Sequence, residues 1–299
     1  MLDTSIVSHY SDFSGQPRRR RSYVSNPNPV YKSPNESVKK PAIVKALTKA
    51  AASCNPARHE AWYTTPRVVQ KSGIVRPFRK RMNEHRARAI NALMVAMADR
   101  LNIISGKVEA SVEQLSDWCG LSTQIDGGVK SISRCSRAIL TLEELGALAC
   151  DRVWDEASRS HIPKLIWVTE LFFVLIGYDL GRFQAAQNQQ LAWVNQGLVK
   201  NGDKPITLTE ARRRAKEQHI KRAFEVRIRT RNFKKQRKHA LKLMQQEEQQ
   251  AKSAILRDLV KMYSPFELQS MGHVELQRQV NQRYFALRKL AAGTKPPDK

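Results

Sequence analysis

Residues 130–146 read Lys130-Ser-Ile-Ser-Arg-Cys-Ser-Arg-Ala-Ile-Leu-Thr-Leu-Glu-Glu-Leu-Gly146, and two β-rich segments follow, Ala147–Trp154 and His161–Val168. Ile132, Cys135, Ile139, Leu142 and Leu145 recur at the spacing of one buried helix face. Gly146 then provides a C-cap, predicting a helix from about Lys130 to Leu145. Its opposite side carries Lys130, Ser133, Arg134, Arg137 and Thr141, with Ser131 beside them, and no acidic residue occurs between Lys130 and Leu142. Arginine grips guanine bidentately, and serine or threonine bonds to either kind of base edge, so these types suit a DNA recognition helix. A generic amphipathic helix also has a polar face; the absence of acids is what favours recognition. The β segments flank a polar tip, Asp155-Glu-Ala-Ser-Arg-Ser160, in the pattern of a hairpin. Arg152, Arg159 and Lys164 are expected to lie against a phosphate backbone, whereas Asp155 and Glu156 oppose deep groove insertion.

Upstream, Ile90, Leu93, Met94, Met97, Leu101 and Ile104 predict a helix from Arg79 to about Leu101. Lys107–Ala110 reads as a short strand. Ser111-Val-Glu-Gln114 has capping-box form and opens a second helix that buries Val112, Leu115 and Cys119. A loop, Thr123–Gly128, leads into the third helix. Helix, short strand, helix, turn, helix and hairpin in that order is winged helix-turn-helix topology. The expected fold is therefore mainly α with a small β wing: a winged helix-turn-helix domain followed by a basic helical C-terminal region.

Charge divides the chain in the same way. The 299 residues carry a net charge of +25, of which 1–78 hold +9, 79–182 hold +1 and 183–299 hold +15. Two basic flanks around a near-neutral centre favour a polyanionic partner. Residues 1–78 contain most of the prolines and the run Arg18-Arg19-Arg20-Arg21; 1–40 is expected to be largely extended or disordered, with a short helix over Pro41–Ala52. The arginine run reads equally as a phosphate or groove contact and as a solvated tail. In the C-terminal flank, Thr169–Gly177 and Phe183–Val199 read as helices, and Thr207-Leu-Thr-Glu210 opens a helical stretch to about Met262. Ala211–Lys242 is net +12 with Ile220, Phe224, Ile228 and Phe233 interleaved. Charge on all sides argues against a membrane-lying helix. Arg227, Arg229, Arg231 and Lys235 are candidates for a phosphate track; a solvated linker helix is the other reading. Ile255, Leu256, Leu259, Leu268, Val274, Leu276, Val280, Tyr284 and Leu287 are spaced for a small helical bundle.

No run of the sequence approaches the ~18 apolar residues of a membrane span. Met1–Tyr10 has neither a basic n-region nor an apolar h-region, so a cytoplasmic protein is expected. Cys54, Cys119, Cys135 and Cys150 form no C-x-x-C pair, and Cys119 and Cys135 fall on apolar faces, as packing residues would. No G-x-x-x-x-G-K-[ST], H-x-H or D-x-D motif is present, which disfavours ATPase, rolling-circle nickase and two-metal chemistry. The expectation is DNA binding without catalysis, cofactor or metal.

Asn26-Pro-Asn-Pro-Val-Tyr31, Arg86-Ala-Arg-Ala-Ile-Asn-Ala-Leu93, and Leu121-Ser-Thr through Ser131-Ile-Ser-Arg-Cys-Ser-Arg-Ala138, followed by Leu142-Glu-Glu-Leu-Gly146, resemble the RepA replication initiators of IncFII and IncL/M-type plasmids. The resemblance is clear from Asn26 to Asp179; beyond, the basic helical character persists. It implies a cis-acting initiator that binds double-stranded plasmid origin DNA, recruits the host DnaA and DnaB proteins and sets copy number by its own abundance. A winged-helix copy-control or transcriptional repressor is the alternative, although such proteins are typically shorter and lack a basic C-terminal third.

Overall fold

The computed structural model describes residues 24–34, 38–78, 80–125, 129–156, 159–162 and 164–293. It is mainly helical with small antiparallel sheets. The described residues fall into two compact units: 24–100, 112–147 and 170–178 in one, and 101–111, 148–169 and 179–293 in the other. The Arg18–Arg21 run lies outside the described residues.

The first unit begins with a non-helical strap, residues 24–34, and continues to α1 (Ala42–Ser53), entered through Pro41, then to a 3-10 turn (Pro56–Arg58) and α2 (Ala61–Thr64). β1 (Arg67–Val68) and β2 (Val75–Arg76) pair antiparallel, Arg67 opposite Arg76. α3 (Glu84–Asp99), α4 (Val112–Trp118), β3 (Thr123–Ile125), β4 (Val129–Ser131), α5 (Ser133–Leu145) and α6 (Glu170–Leu175) complete it. α3 packs against α1, α4 and α5. Its buried alanines, Ala87, Ala89, Ala92, Ala96 and Ala98, let neighbours approach closely on several sides, and Ile90, Leu93, Met94 and Met97 are fully buried. Leu47 of α1, Leu115 of α4 and Ile139 and Leu142 of α5 are equally buried. Truncating any one of these leucines to alanine would cost about 2–5 kcal/mol.

Three expected boundaries move. α3 starts at Glu84 rather than Arg79, because the Asn83 side chain caps it, accepting from the Arg86 amide at 2.9 Å. Thr123–Ile125 is not loop but β3, paired with β4 in the register Thr123↔Ser131 and Gln124↔Lys130. The backbone of Lys130 and Ser131 is engaged in that ladder, so α5 begins only at Ser133. A β-hairpin, not a short turn, therefore joins α4 to α5. At the other end of α5, Gly146 (φ 87°) takes the expected left-handed C-cap and donates to the Glu143 carbonyl at 3.0 Å.

The strap is tied down along its length. Asn26 Nδ2 donates to the Gly120 carbonyl at 3.1 Å, and the Lys32 amide donates to the Trp118 carbonyl at 2.8 Å. Gly120 has φ +63°, and a Cβ there would stand 2.7 Å from Asn26 Nδ2, so the turn and the close approach both require glycine. Further along, the Tyr31 hydroxyl and Lys40 Nζ each bond to the Asp99 carboxylate at 2.5 Å. Asp99 is buried at the C-terminal end of α3, where the helix dipole disfavours a negative charge, and these donors compensate it. Burial, followed by the bond to Asp99, pushes the Tyr31 phenol above its ordinary pKa.

In the second unit, β5 (Leu148–Asp151) pairs with β8 (Leu165–Val168), Leu148 opposite Val168, and β6 (Trp154–Asp155) pairs with β7 (Ser160–His161), Trp154 opposite His161. The register shifts by one residue between the two ladders, so the returning strand carries one extra residue, as in a bulge. The expected strand over Lys107–Ala110 is reduced to isolated bridges, Leu101 to Val108 and Lys107 to Trp167. α7 (Leu180–Lys200) starts at the Asp179 cap, and its Gln187 Nε2 donates to the carbonyls of Ile103 and Ile104 at 3.0 and 2.9 Å.

The stretch expected to run unbroken to Met262 is two helices, α8 (Leu208–Met244) and α9 (Glu248–Met262), and α10 (Pro265–Ala292) follows. The break after Met244 lets Ala251, Ile255 and Leu259 of α9 meet Leu243 of α8 and Val280 and Tyr284 of α10 in one core. A straight helix would leave those apolar residues in water. Val274, expected in this bundle, is 83% exposed, close to the kink at Gly272. α10 opens with a capping box, Ser264-Pro-Phe-Glu267, in which the Ser264 amide donates to Glu267 at 2.8 Å.

Cys119 and Cys135 are buried in the first unit, their thiols directed at the Ala92 and Val112 carbonyls at 3.4 and 3.6 Å. Burial is the main cause raising both pKa values, Cys135 to about 12. At pH 8 the thiolate fraction of Cys135 is then on the order of 1 in 10,000. An aromatic disulfide reagent at pH 8 should therefore modify the exposed Cys54 readily and leave Cys119 and Cys135 intact until denaturant is added. Mass spectrometry of the labelled peptides checks this; rapid modification of Cys135 in the native protein would contradict the packing assignment.

Candidate nucleic-acid interface

α5 enters through Ile132, whose side chain cannot accept a hydrogen bond, so the N-cap residue supplies no cap and the Ser133 amide turns to the Ser131 hydroxyl at 3.5 Å. The partial positive charge of that end favours anions, and no acidic side chain occupies the first turn. Beside it lies a 410 Å³ cleft whose lining includes Ser25 of the strap, Arg86 of α3, Thr123 and Ser131 of the hairpin, and Ser133, Arg134 and Arg137 of α5. Among the described residues no carboxylate lines it. Its rim hydroxyls stand in pairs, Ser131 with Ser133 at 3.1 Å and Ser25 with Thr123 at 3.4 Å. Three arginines, the N-terminal end of a helix and hydroxyls in one concavity suit a phosphate or the acceptor-rich edge of a base.

The expected recognition residues part company here. Arg137 and Ser133 are exposed and available to a ligand. Arg134 is instead a tie within the unit: its guanidinium donates to the Asn26 carbonyl and, at 3.0 Å, to the His85 carbonyl. Desolvation, and then the nearby Arg88 charge, lower its pKa. Lys130 is not on the helix at all. From β4 its ammonium pairs with Asp117 at 2.5 Å and Glu113 at 3.5 Å, neutralising the acidic outer face of α4. The bond to Asp117 is the main cause raising its pKa. Thr141, expected on the polar face, is only 5% exposed. One turn on from Ala138 it falls on the buried side, and its hydroxyl donates to the Arg137 carbonyl at 2.8 Å, which makes burial tolerable.

Arg86 is the residue that the sequence reading did not select. It stands in the first turn of α3, three residues after the Asn83 cap, and lines the same cleft as Arg137. The available signal was Asn83 three residues ahead of it, the cap that fixes where α3 begins.

The second unit holds the other candidates. Arg152 and Arg159 of the hairpin are exposed and Lys164 is half-buried. Along α8, Arg229, Arg231 and Lys235 are exposed with no carboxylate in ion-pair range among the described residues. Arg227 is only half-exposed and donates to the His161 carbonyl. Lys216 pairs with Asp151 at 2.9 Å and Arg212 Nε donates to the Ser105 carbonyl at 3.2 Å, so the first half of α8 uses basic side chains to hold the hairpin and its neighbouring loop. Of the interleaved apolar residues, Phe233 is buried whereas Ile228 is 59% exposed. Arg213 and then Arg214 hold the Glu210 carboxyl down to about 2.

The model of the IncFII RepA protein family matches residues 19–292. The chain is 43% identical over 274 residues to a probable replication-associated protein repA1 of Buchnera aphidicola subsp. Cinara cedri, covering 91% of this chain and 98% of that one. It is 42% identical over 279 residues to the repA1 protein of Buchnera aphidicola subsp. Acyrthosiphon pisum, covering 93% and 98%. A replication initiation protein of Escherichia coli is 26% identical over 219 residues, covering 72% and 74%. No solved structure matches the chain.

The tie through Arg134 yields a direct expectation. Arg134→Ala removes two bonds from a charged donor, worth about 1.5–3 kcal/mol each, and should lower unfolding stability by a few kcal/mol. It should also release the strap, so that the Lys32 amide loses hydrogen-exchange protection relative to the α3 amides. Unchanged protection at Lys32 would show that Arg134 does not hold the strap.

Proposed function

The chain belongs to the IncFII RepA protein family, and from that membership we propose that it initiates replication of its own plasmid by binding the double-stranded origin sequence-specifically, without catalysis of its own. In this reading the protein is a winged helix-turn-helix initiator. The N-terminal end of α5 enters the major groove, with Arg137 and Ser133 reading base edges. Arg152, Arg159 and Lys164 of the hairpin and Arg229, Arg231 and Lys235 of α8 bind phosphates. Origin-bound protein then promotes loading of host DnaA and DnaB, and its abundance limits copy number. The observation that carries the reading is the cleft at the N-terminal end of α5, with no carboxylate among its described lining residues, in a family of replication initiators.

The experiment is replication of an origin plasmid in vitro with and without the protein, beside binding to origin and random duplexes. Arg137→Ala should weaken origin binding by about 1–3 kcal/mol and narrow discrimination against random duplex, as loss of a bidentate base contact does. Replacing Arg229, Arg231 and Lys235 by glutamine should instead weaken binding to both duplexes alike, flattening the slope of log affinity against log salt by roughly two to three units. Unaltered discrimination in Arg137→Ala removes that residue from the base-reading set. Origin binding without support of replication would favour a copy-control repressor.

A further inference from the structure

A second concavity of the first unit is not used by the reading above. It measures 650 Å³, and its walls come from β1, β2, the segment that follows them and the start of α3. Among the described residues five cations line it, Arg67, Arg76, Lys80, Arg81 and Arg86, and no carboxylate does. Its floor is rigid. Phe78 meets Trp62 edge-on at 5.2 Å between ring centroids, and the Arg67 guanidinium lies over the Phe78 ring at 4.4 Å while pairing with Glu144 at 3.5 Å. Arg67 is thereby a structural cation.

The others are available. Arg76, Lys80, Arg81 and Arg86 are all exposed. Glu84 bonds to Arg58 and makes one long ion pair with Arg81 at 3.8 Å, whereas Arg76, Lys80 and Arg86 have no carboxylate in ion-pair range among the described residues. Mutual repulsion of four poorly paired cations is unfavourable, and a bound polyanion would relieve it. Asn83 and Arg86 line both this cleft and the one at α5, so the two are adjoining stretches of one cationic surface. A ligand with charges repeated along a chain can occupy both; a small single anion cannot.

We propose that this second cleft binds the phosphodiester backbone of DNA, continuing the contact that starts at α5. The inference rests on the proposed origin binding and adds a phosphate-contact site built from Arg76, Lys80, Arg81 and Arg86. Backbone contacts fix the register of a duplex without reading sequence, which is what a lining dominated by guanidinium and ammonium groups can do.

The test is the full-length triple variant Arg76→Gln, Lys80→Gln, Arg81→Gln, titrated with origin and random duplexes at several salt concentrations. These side chains are exposed, so circular dichroism and Tm should match the unaltered protein. The single variant Arg76→Gln provides a milder version of the same readout. Each lost phosphate contact removes about 0.9 from the salt slope, so the triple variant should flatten it by roughly two to three units and the single by about one. The ratio of origin to random affinity should stay constant. An unchanged slope overturns the inference, as does a loss confined to origin DNA, which would mean base reading. Binding of polyglutamate to the unaltered protein but not to the triple variant, with DNA binding intact, would overturn it in favour of an acidic-peptide site. If the unaltered protein binds no duplex, this inference and the reading beneath it both fail.

Discussion

The Arg134 guanidinium joins three pieces of chain that are far apart in sequence: the strap at Asn26, the start of α3 at His85 and the first turn of α5. Every wall of the cleft at α5 belongs to one of these pieces or to the hairpin beside them. A half-buried arginine with two carbonyl acceptors is a strong tie because its five donors are fixed in a plane and its charge never titrates away. The consequence for function is division of labour along one helix. Arg134 shapes the cleft, and Arg137, almost one turn further on, is left to meet a ligand.

The same division runs through the basic residues of the whole chain. Many are engaged in structure: Lys40 with buried Asp99, Lys130 with the acids of α4, Arg67 over Phe78, Lys216 with Asp151. Net charge alone therefore overstates how much of the surface is available to a polyanion. What matters is which cations remain exposed without a close acid; in the first unit one group of these lies around Arg86, shared by two adjoining clefts, and another, Lys39, Lys45 and Lys49, lies at α1. In the second unit Arg229, Arg231 and Lys235 are among them, on the latter half of α8, where the hairpin contacts of Lys216 and Arg227 have ended.

Apolar periodicity made the cores legible. The stripes of α3 and α5, and the Ile255, Leu259, Val280 and Tyr284 cluster, are where their spacing put them, because burial of those residues dominates the local choice. Gly146 and the hairpin from Leu148 to Val168 were equally legible from turn chemistry and β-rich composition. What sequence did not disclose was set by tertiary partners. Lys130 sits in a strand because Thr123–Ile125 pairs with it, and no local pattern announces a two-strand ladder that short. Thr141 is buried because its hydroxyl has its own helix carbonyl to bond, so polarity alone misplaced it. Arg134 and Arg137 look alike in sequence, and only the strap distinguishes them. The cluster of Arg76, Lys80, Arg81 and Arg86 was hidden because it straddles the basic flank and the charge-balanced segment from 79 to 182, and only the cleft brings its members together.

The central claim is that origin DNA lies across the N-terminal end of α5 in the first unit. The most direct measurement is photo-crosslinking of the full-length protein to origin duplex carrying iododeoxyuridine, with the modified peptides identified by mass spectrometry. The account predicts crosslinks within Ser133–Arg137 that are lost when random duplex replaces the origin at equal occupancy. Crosslinks confined to the hairpin and α8, with none on α5, would contradict it.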